Sequence, residues 1–198
     1  MTDLDQILEP GAVIGILGGG QLGRMLSVAA SRLGFTTHIF EPSANPPAGH
    51  VADKVTTAGY EDEAALRAFA ETVDVITYEF ENIPTSALDI LEALKPIRPN
   101  REALRVSQDR LTEKTFLQDL GLATAPFAEV NDAADLEVAL EQVGTPSILK
   151  TRRFGYDGKG QMRIIDLSEA PAALAAMQGV PAVLEGFVPF SHEVSVIA

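Results

Sequence analysis

The chain has 198 residues, 46% of them hydrophobic, enough for one large or two small cores. Its formal net charge of −13 opposes a nucleic-acid or anionic membrane partner, and the absence of cysteine excludes disulfides, thiolate catalysis and cysteine-ligated zinc or iron–sulfur centres. No run of about 18 apolar residues occurs and the start, Met1-Thr2-Asp3-Leu4-Asp5, is acidic, so neither a membrane span nor a signal peptide is expected and a soluble cytoplasmic protein is.

Val13-Ile14-Gly15-Ile16-Leu17 is a short apolar run suited to a buried parallel strand. Leu22, Met25, Leu26, Ala29, Ala30 and Leu33 then fall on one face of a helix, with Gly34 where a helix stops. Thr37 to Phe40 predicts a second strand, Ala65, Leu66 and Phe69 a helix, Val73 to Tyr78 a third strand, and Pro84 opens a helix through Leu94. This βαβαβα order predicts a Rossmann-like parallel-sheet unit over residues 1–100. Pro96-Ile97-Arg98-Pro99-Asn100 marks its edge.

Beyond it, a charged helix runs from about Ser107 to Leu120 and ends at Gly121. Short strands and helices follow: Phe127 to Val130, a helix to Val143, a strand at Ile148, a glycine-rich loop, a strand at Ile164, a helix to Gln178, and strands at Val183 and Val194. Two strands joined directly by a loop pair antiparallel, so the overall class is α/β, a parallel-sheet unit followed by an α+β unit. The chain stops inside a strand-like run, Ser195-Val196-Ile197-Ala198, as expected of a fragment of a longer protein.

Two glycine motifs carry the chemistry. Gly18-Gly19-Gly20-Gln21-Leu22-Gly23 fits G-x-G-x-x-G between strand and helix, with Glu41 at the end of the second strand where a ribose-binding acid sits in dinucleotide sites. The same turn at a helix N-terminus holds any phosphate, including that of a ribonucleotide, or serves close packing alone. The second motif, Thr151 to Gly160, follows Lys150 and places Gly155, Gly158 and Gly160 among Arg152, Arg153 and Lys159. Free backbone amides and three cations suit a loop folding over nucleotide phosphates, whereas a plain hairpin has no need of the charge. Glu79 and Glu81 alternate with Phe80 and so share a side at the C-terminal end of a strand, where ligands bind in open α/β sheets. Arg110 and Lys114 share a helix face; read on its own, that is a solvated stripe paired with Asp109 and Glu113. His38, His50 and His192 have no ligand-like partner nearby, so no metal residue is named.

Five segments, taken together, resemble the 5-(carboxyamino)imidazole ribonucleotide synthase family, the ATP-grasp carboxylases of bacterial and fungal purine biosynthesis. They are Gly18 to Met25, Thr77 to Pro84, Asp109 to Lys114, Lys150 to Gly160, and Glu193-Val194-Ser195, in the family's order and spacing from about Val13 to Ala198. The resemblance implies a pre-ATP-grasp domain at 1–100 and a truncated ATP-grasp domain at 101–198. The latter divides into a helical connector at 101–121, a lid at about 122–185 and the start of the remaining core at 186–198. It implies a carbon–nitrogen ligase that uses ATP, Mg²⁺ and bicarbonate to carboxylate 5-aminoimidazole ribonucleotide through carboxyphosphate, as a homodimer when full length.

By the same resemblance Arg110 and Lys150 contact ATP, and Gly155, Tyr156, Asp157, Gly158, Lys159, Gly160 and Gln161 close over its phosphates, with Asp157 and Lys159 catalytic. Glu185, Gly186, Phe187 and Val188 form the adenine side, and Glu193 meets the ribose. Gly20, Gln21, Leu22, Glu79, Tyr156 and Asp157 hold the ribonucleotide, and the metal ligands are expected later in the core. A sister enzyme, formate-dependent glycinamide ribonucleotide transformylase, shares the turn and the loop; Arg152 to Asp157 and Tyr78 to Asn82 match the carboxylase instead. A nicotinamide-binding dehydrogenase, resting on the first hundred residues, is the reading from another class.

Overall fold

A computed structural model describes residues 7–155 and 158–196, which part into two units between Arg105 and Val106. In the first, the apolar runs form β1 (Val13–Leu17), β2 (Thr36–Glu41) and β4 (Val75–Tyr78), joined by β3 (Lys54–Thr57) in a sheet of order β3-β2-β1-β4. All its pairings are parallel, as the alternation of elements implies. The fourth strand, β3, carries no apolar run because it is a polar edge strand with only Val55 as an apolar residue.

Helices α2 (Glu63–Ala70) and α3 (Thr85–Glu92) cover one face of the sheet, where Leu17, Phe40, Leu66, Phe69, Ile76, Leu88 and Leu91 form the core. Gly15 allows this approach: a Cβ there would lie 2.7 Å from the Phe69 ring. Helix α1 (Gln21–Arg32) corrects the expected apolar face. It buries Gly23, Ser27 and, of the expected residues, Ala30 alone, while Leu22, Met25 and Leu33 are more than half exposed. The small residues win because the glycine turn brings the helix backbone close to its neighbours. A Cβ on Gly23 would stand 2.8 Å from the Gly18 carbonyl oxygen. A seven-residue helix, α4 (Arg101–Ser107), ends this stretch.

The second unit holds α5 (Arg110–Asp119), β5 (Phe127–Val130), α6 (Ala133–Val143), β6 (Ser147–Thr151), β7 (Gln161–Ile164), α7 (Ala170–Ala176) and β8 (Ala182–Gly186). The sheet runs β5-β8-β6-β7, antiparallel throughout, with the glycine loop joining β6 to β7 as expected. One face packs Val130, Leu149, Ile164, Ala182 and Leu184 against Leu136, Ala139, Leu140 and Ala173 of α6 and α7. Strand alternation sends Phe127, Lys150 and Glu185 to the opposite face. The strand expected at Val194 does not form: that segment is irregular and Val194 is exposed, with no described strand beside it to take its backbone hydrogen bonds.

Candidate functional site

At the first glycine turn, Gly18 takes φ +102°, open to glycine alone, and its amide donates to the Phe40 carbonyl at 3.0 Å. Two carboxylates then seize the turn. The Gly19 amide donates to Glu41 Oε2 at 2.9 Å and the Gly20 amide to Glu79 Oε1 at 2.8 Å. Glu41 Oε1 accepts from the Ser43 amide at 2.9 Å, so both oxygens of this residue are engaged in shaping the loop. The amides of Gln21 and Leu22, at the positive end of the 12-residue α1, have no acceptor among the described residues. They adjoin a cleft of about 600 Å³ lined by Gly19, Gly20, Glu41, Tyr60, Glu79 and Phe80. Glu81 does not join Glu79 there: the chain bends at Glu79 and turns at Glu81, so strand alternation no longer applies.

In the second unit, Ile148 stands opposite Glu185, which puts Lys150 diagonal to that carboxylate on the same face. Lys150 Nζ lies 2.9 Å from Glu185 Oε2, and Lys114 Nζ, from α5, lies 3.4 Å from the same oxygen. All three side chains are largely buried, 21%, 15% and 9% exposed for Lys150, Lys114 and Glu185. Lys114 also sits 5.4 Å from the centroid of Phe127, the residue across from Glu185 on β5. The solvated stripe is thereby corrected. Arg110 and Lys114 do share a face, but it turns inward: Arg110 donates to the Gly155 carbonyl at 3.2 Å and Lys114 meets Glu185.

Asp109, the expected partner of that stripe, instead caps α5 by accepting from the Leu111 and Thr112 amides and takes Arg152 at 2.9 Å. Burial alone would raise its carboxyl, but the Arg152 guanidinium and the two amides outweigh burial and hold it below the usual range. Arg152 also meets Glu129 at 2.7 Å, so it braces the loop's base and does not supply free charge to a phosphate. Asp109→Ala removes cap and brace together, and an expected loss of about 1–3 kcal/mol should appear as a lower urea midpoint.

The loop itself needs its glycines. Gly158 and Gly160 take φ +77° and +70°, and the Gly160 carbonyl accepts from Thr151 N at 2.8 Å to close the base. Arg153 leans on Gln108 and the Phe154 ring. Tyr156 and Asp157 lie outside the described residues. Lys159 is exposed in the turn before β7, and Gln161 opens that strand opposite Lys150.

The family of ribonucleotide synthetase preATP-grasp domains matches residues 12–108, and the ATP-grasp domain family matches 115–198. The N5-carboxyaminoimidazole ribonucleotide synthase of Brucella melitensis is 53% identical over 193 residues, which is 96% of this chain and 53% of the relative. That of Pseudomonas aeruginosa is 43% identical over 93% of this chain and 51% of its own length. The chain belongs to the N5-carboxyaminoimidazole ribonucleotide synthase family. It spans about half the length of the curated relatives it matches. A crystal structure of an N5-carboxyaminoimidazole ribonucleotide synthetase with ADP superposes with a TM-score of 0.90 at 38% identity, over 95% of this chain and 50% of that one. An Aspergillus clavatus synthase in complex with ADP and 5-aminoimidazole ribonucleotide gives 0.82 at 32% identity, over 92% and 48%. The parallel-sheet unit is accordingly a pre-ATP-grasp fold and the antiparallel unit an ATP-grasp fold.

Within this synthase-family chain, the structure gathers Gly20 and Glu79 at one cleft, with Gln21 and Leu22 beside it, and Arg110, Lys150, Gly155 and Glu185 around β6, β8 and the start of α5. The Gly186 and Phe187 amides donate to the Pro126 and Pro146 carbonyls, while the Val188 amide has no acceptor among the described residues. Glu193 is exposed in an irregular segment and no described hydrogen bond or ion pair ties it to the strands. Two participants are absent from the sequence-based set of site residues. Lys114 reads from sequence as a surface lysine. Tyr60 lines the cleft with its hydroxyl buried and unpartnered among the described residues, and no motif flags it.

Proposed function

We propose that this chain supplies the substrate turn and the nucleotide-phosphate face of an ATP-dependent carboxylase acting on 5-aminoimidazole ribonucleotide. Bicarbonate oxygen attacks the γ-phosphorus of ATP, ADP leaves, and carboxyphosphate forms. The exocyclic amine then attacks the carboxyl carbon; the carbon–oxygen bond to phosphate breaks, the amine loses a proton, and phosphate departs. The observation that carries this reading is the lysine pair on Glu185, at the end of a strand that runs directly into the glycine loop. Phosphoryl transfer calls for positioned cations and amides more than for a protein nucleophile, and that is what the β6–β7 unit offers.

Each group has a task in this scheme. Lys150 is a point charge for a nucleotide phosphate oxygen, Arg110 holds the loop through Gly155 and presents its remaining donors, and Gly155 to Gln161 close over the phosphates, with Asp157 and Lys159 at the reacting end. Glu185 to Val188 receive the adenine, Val188 N–H donating, and Glu193 takes the ribose hydroxyls. The Gln21 and Leu22 amides hold the substrate's 5′-phosphate at the start of α1, while Gly20 and Glu79 face the rest of the ribonucleotide; the family resemblance adds Tyr156 and Asp157, which lie outside the described residues, to the groups that bind it. ATP is used with Mg²⁺; among the described residues no group of three His, Asp or Glu side chains could hold a metal, so no residue is assigned to it. The scheme places the enzyme in the cytoplasm as a homodimer when full length. It acts on small molecules, without nucleic acid or membrane; no described helix is long and apolar enough to cross one. Residues 101–121 serve as connector, about 122–185 as lid and 186–198 as the start of the remaining core.

Phosphate release by the full-length protein should require ATP, bicarbonate and aminoimidazole ribonucleotide together; release without the ribonucleotide would refute the assignment. The engagement of Glu41 with the glycine turn favours a ribonucleotide over a dinucleotide, and NADH should leave the melting temperature unmoved. Gly20→Val gives a sharper test. Gly20 has φ −73°, so valine meets no left-handed strain there, but its Cβ would stand 3.1 Å from Glu79 Oε1 and its methyls would enter the cleft. The KM for the ribonucleotide is expected to rise about tenfold or more, 1.4 kcal/mol or beyond, with a much smaller change for ATP.

A further inference from the structure

Two ammonium groups share one carboxylate oxygen on the face of β6 and β8, and the arithmetic of charge is uneven. Lys114 and Lys150 contribute two positive charges and Glu185 one negative, on side chains that are 15%, 21% and 9% exposed. Had Lys150 and Glu185 been alone, they would form a closed neutral pair at 2.9 Å, with the ammonium held by the carboxylate and little attraction left for an anion. Lys114 changes that balance. It approaches the same oxygen from α5 and rests against the Phe127 ring, so its position is set by the helix and by β5, independently of Lys150.

We propose that Lys114 is a positioning residue for the nucleotide site: by serving as the standing counter-ion of Glu185, it leaves the charge of Lys150 available to a phosphate oxygen. The inference rests on the ATP-grasp reading above and adds to it a residue that makes no phosphate contact of its own. Its physical content is a competition. Glu185 attracts Lys150 less strongly when a second ammonium already shares its oxygen, and the surplus positive charge is relieved when a phosphate arrives beside Lys150.

The test is a set of equilibrium ATP titrations on the full-length protein, with melting temperatures recorded alongside. Lys114→Met is expected to weaken ATP binding about tenfold, while Lys150 itself is untouched. Lys114→Arg, which keeps the charge, should stay within about threefold of wild type. Because Glu185 itself lies on the adenine side, Glu185→Gln is the reference and the decisive variant is Lys114→Met combined with it. With the carboxylate neutralised Lys150 is no longer held, so adding Lys114→Met to Glu185→Gln is expected to change ATP affinity by less than about threefold, against about tenfold in the wild-type background. Unchanged ATP affinity in Lys114→Met alone would overturn the inference, as would a tenfold loss that persists in the Glu185→Gln background. A drop in melting temperature with affinity intact would show a role in the fold only. If wild-type protein binds no ATP, the carboxylase reading itself falls, an outcome distinct from all of these.

Discussion

Lys150→Met is expected to weaken ATP binding by about 1.5–3 kcal/mol, roughly ten- to more than a hundredfold, the value of a hydrogen bond to a charged group. The fold should survive. Glu185 keeps Lys114 at 3.4 Å as a one-to-one counter-ion, and methionine fills the space of the lysine stem beside β8. The melting temperature without nucleotide should therefore shift little, while the stabilisation that ATP confers on wild type should shrink in step with the lost affinity. Equal ATP affinity in mutant and wild type would place Lys150 in the architecture and remove it from the nucleotide site.

Acidification should destabilise the first unit through His38. Its ring is buried on β2, with Nδ1 at 2.7 Å from Thr72 Oγ1, Nε2 at 2.8 Å from Thr56 Oγ1, and the Phe69 ring 4.8 Å away. The Thr72 hydroxyl donates to the Phe69 carbonyl, so it accepts from Nδ1–H and the neutral tautomer is satisfied on both nitrogens. Burial, reinforced by Lys54, lowers the imidazole from 6.5 to about 4. As pH falls from 6.5 towards 4 the unfolded chain takes up the proton first, so stability is full above pH 6.5 and declines through that window. The loss amounts to about 3 kcal/mol once both states are protonated. Carboxylates titrate in the same range, and His38→Gln isolates the histidine. Urea unfolding at neutral pH and near pH 4.5 should show wild type losing about 2–3 kcal/mol more than the variant over that interval. Parallel losses would show that His38 is solvated or protonated in the fold.

The elements that bury continuous apolar runs were legible in the sequence. β1, β2 and β4 appear where Val13–Leu17, Thr37–Phe40 and Val73–Tyr78 predict them, because a strand covered on both faces must be apolar along its length. β3 was not, since an edge strand of Lys54, Val55, Thr56 and Thr57 carries no such run. The helical period of α1 was also visible, yet of its apolar residues only Ala30 is buried. Periodicity reports where apolar residues lie, whereas close approach to a glycine turn selects Gly23, Ser27 and Ala30, whose small side chains give almost no hydropathy signal.

The site divided along the same line. Gly18, Gly158 and Gly160 announced their turns because left-handed backbone is a local demand that few other residues meet, and Lys150 announced itself by standing at the mouth of such a loop. Local geometry and apolar burial are written in neighbouring residues, and those the sequence by itself determined: two sheet-bearing units, a glycine turn opening a helix, and a cationic glycine loop between antiparallel strands. Only the tertiary structure decided that β8 inserts between β5 and β6, that Glu41 and Glu79 take the amides of the first turn, that Arg152 binds Asp109 and Glu129, and that Lys114 meets Glu185. Each joins residues from 22 to 71 positions apart, with β8 reaching β6 across 35 and Lys114 reaching Glu185 across 71. An ion pair costs desolvation that is recovered only when folding brings both partners to one place, so its identity depends on the path of the chain and not on the residues beside it.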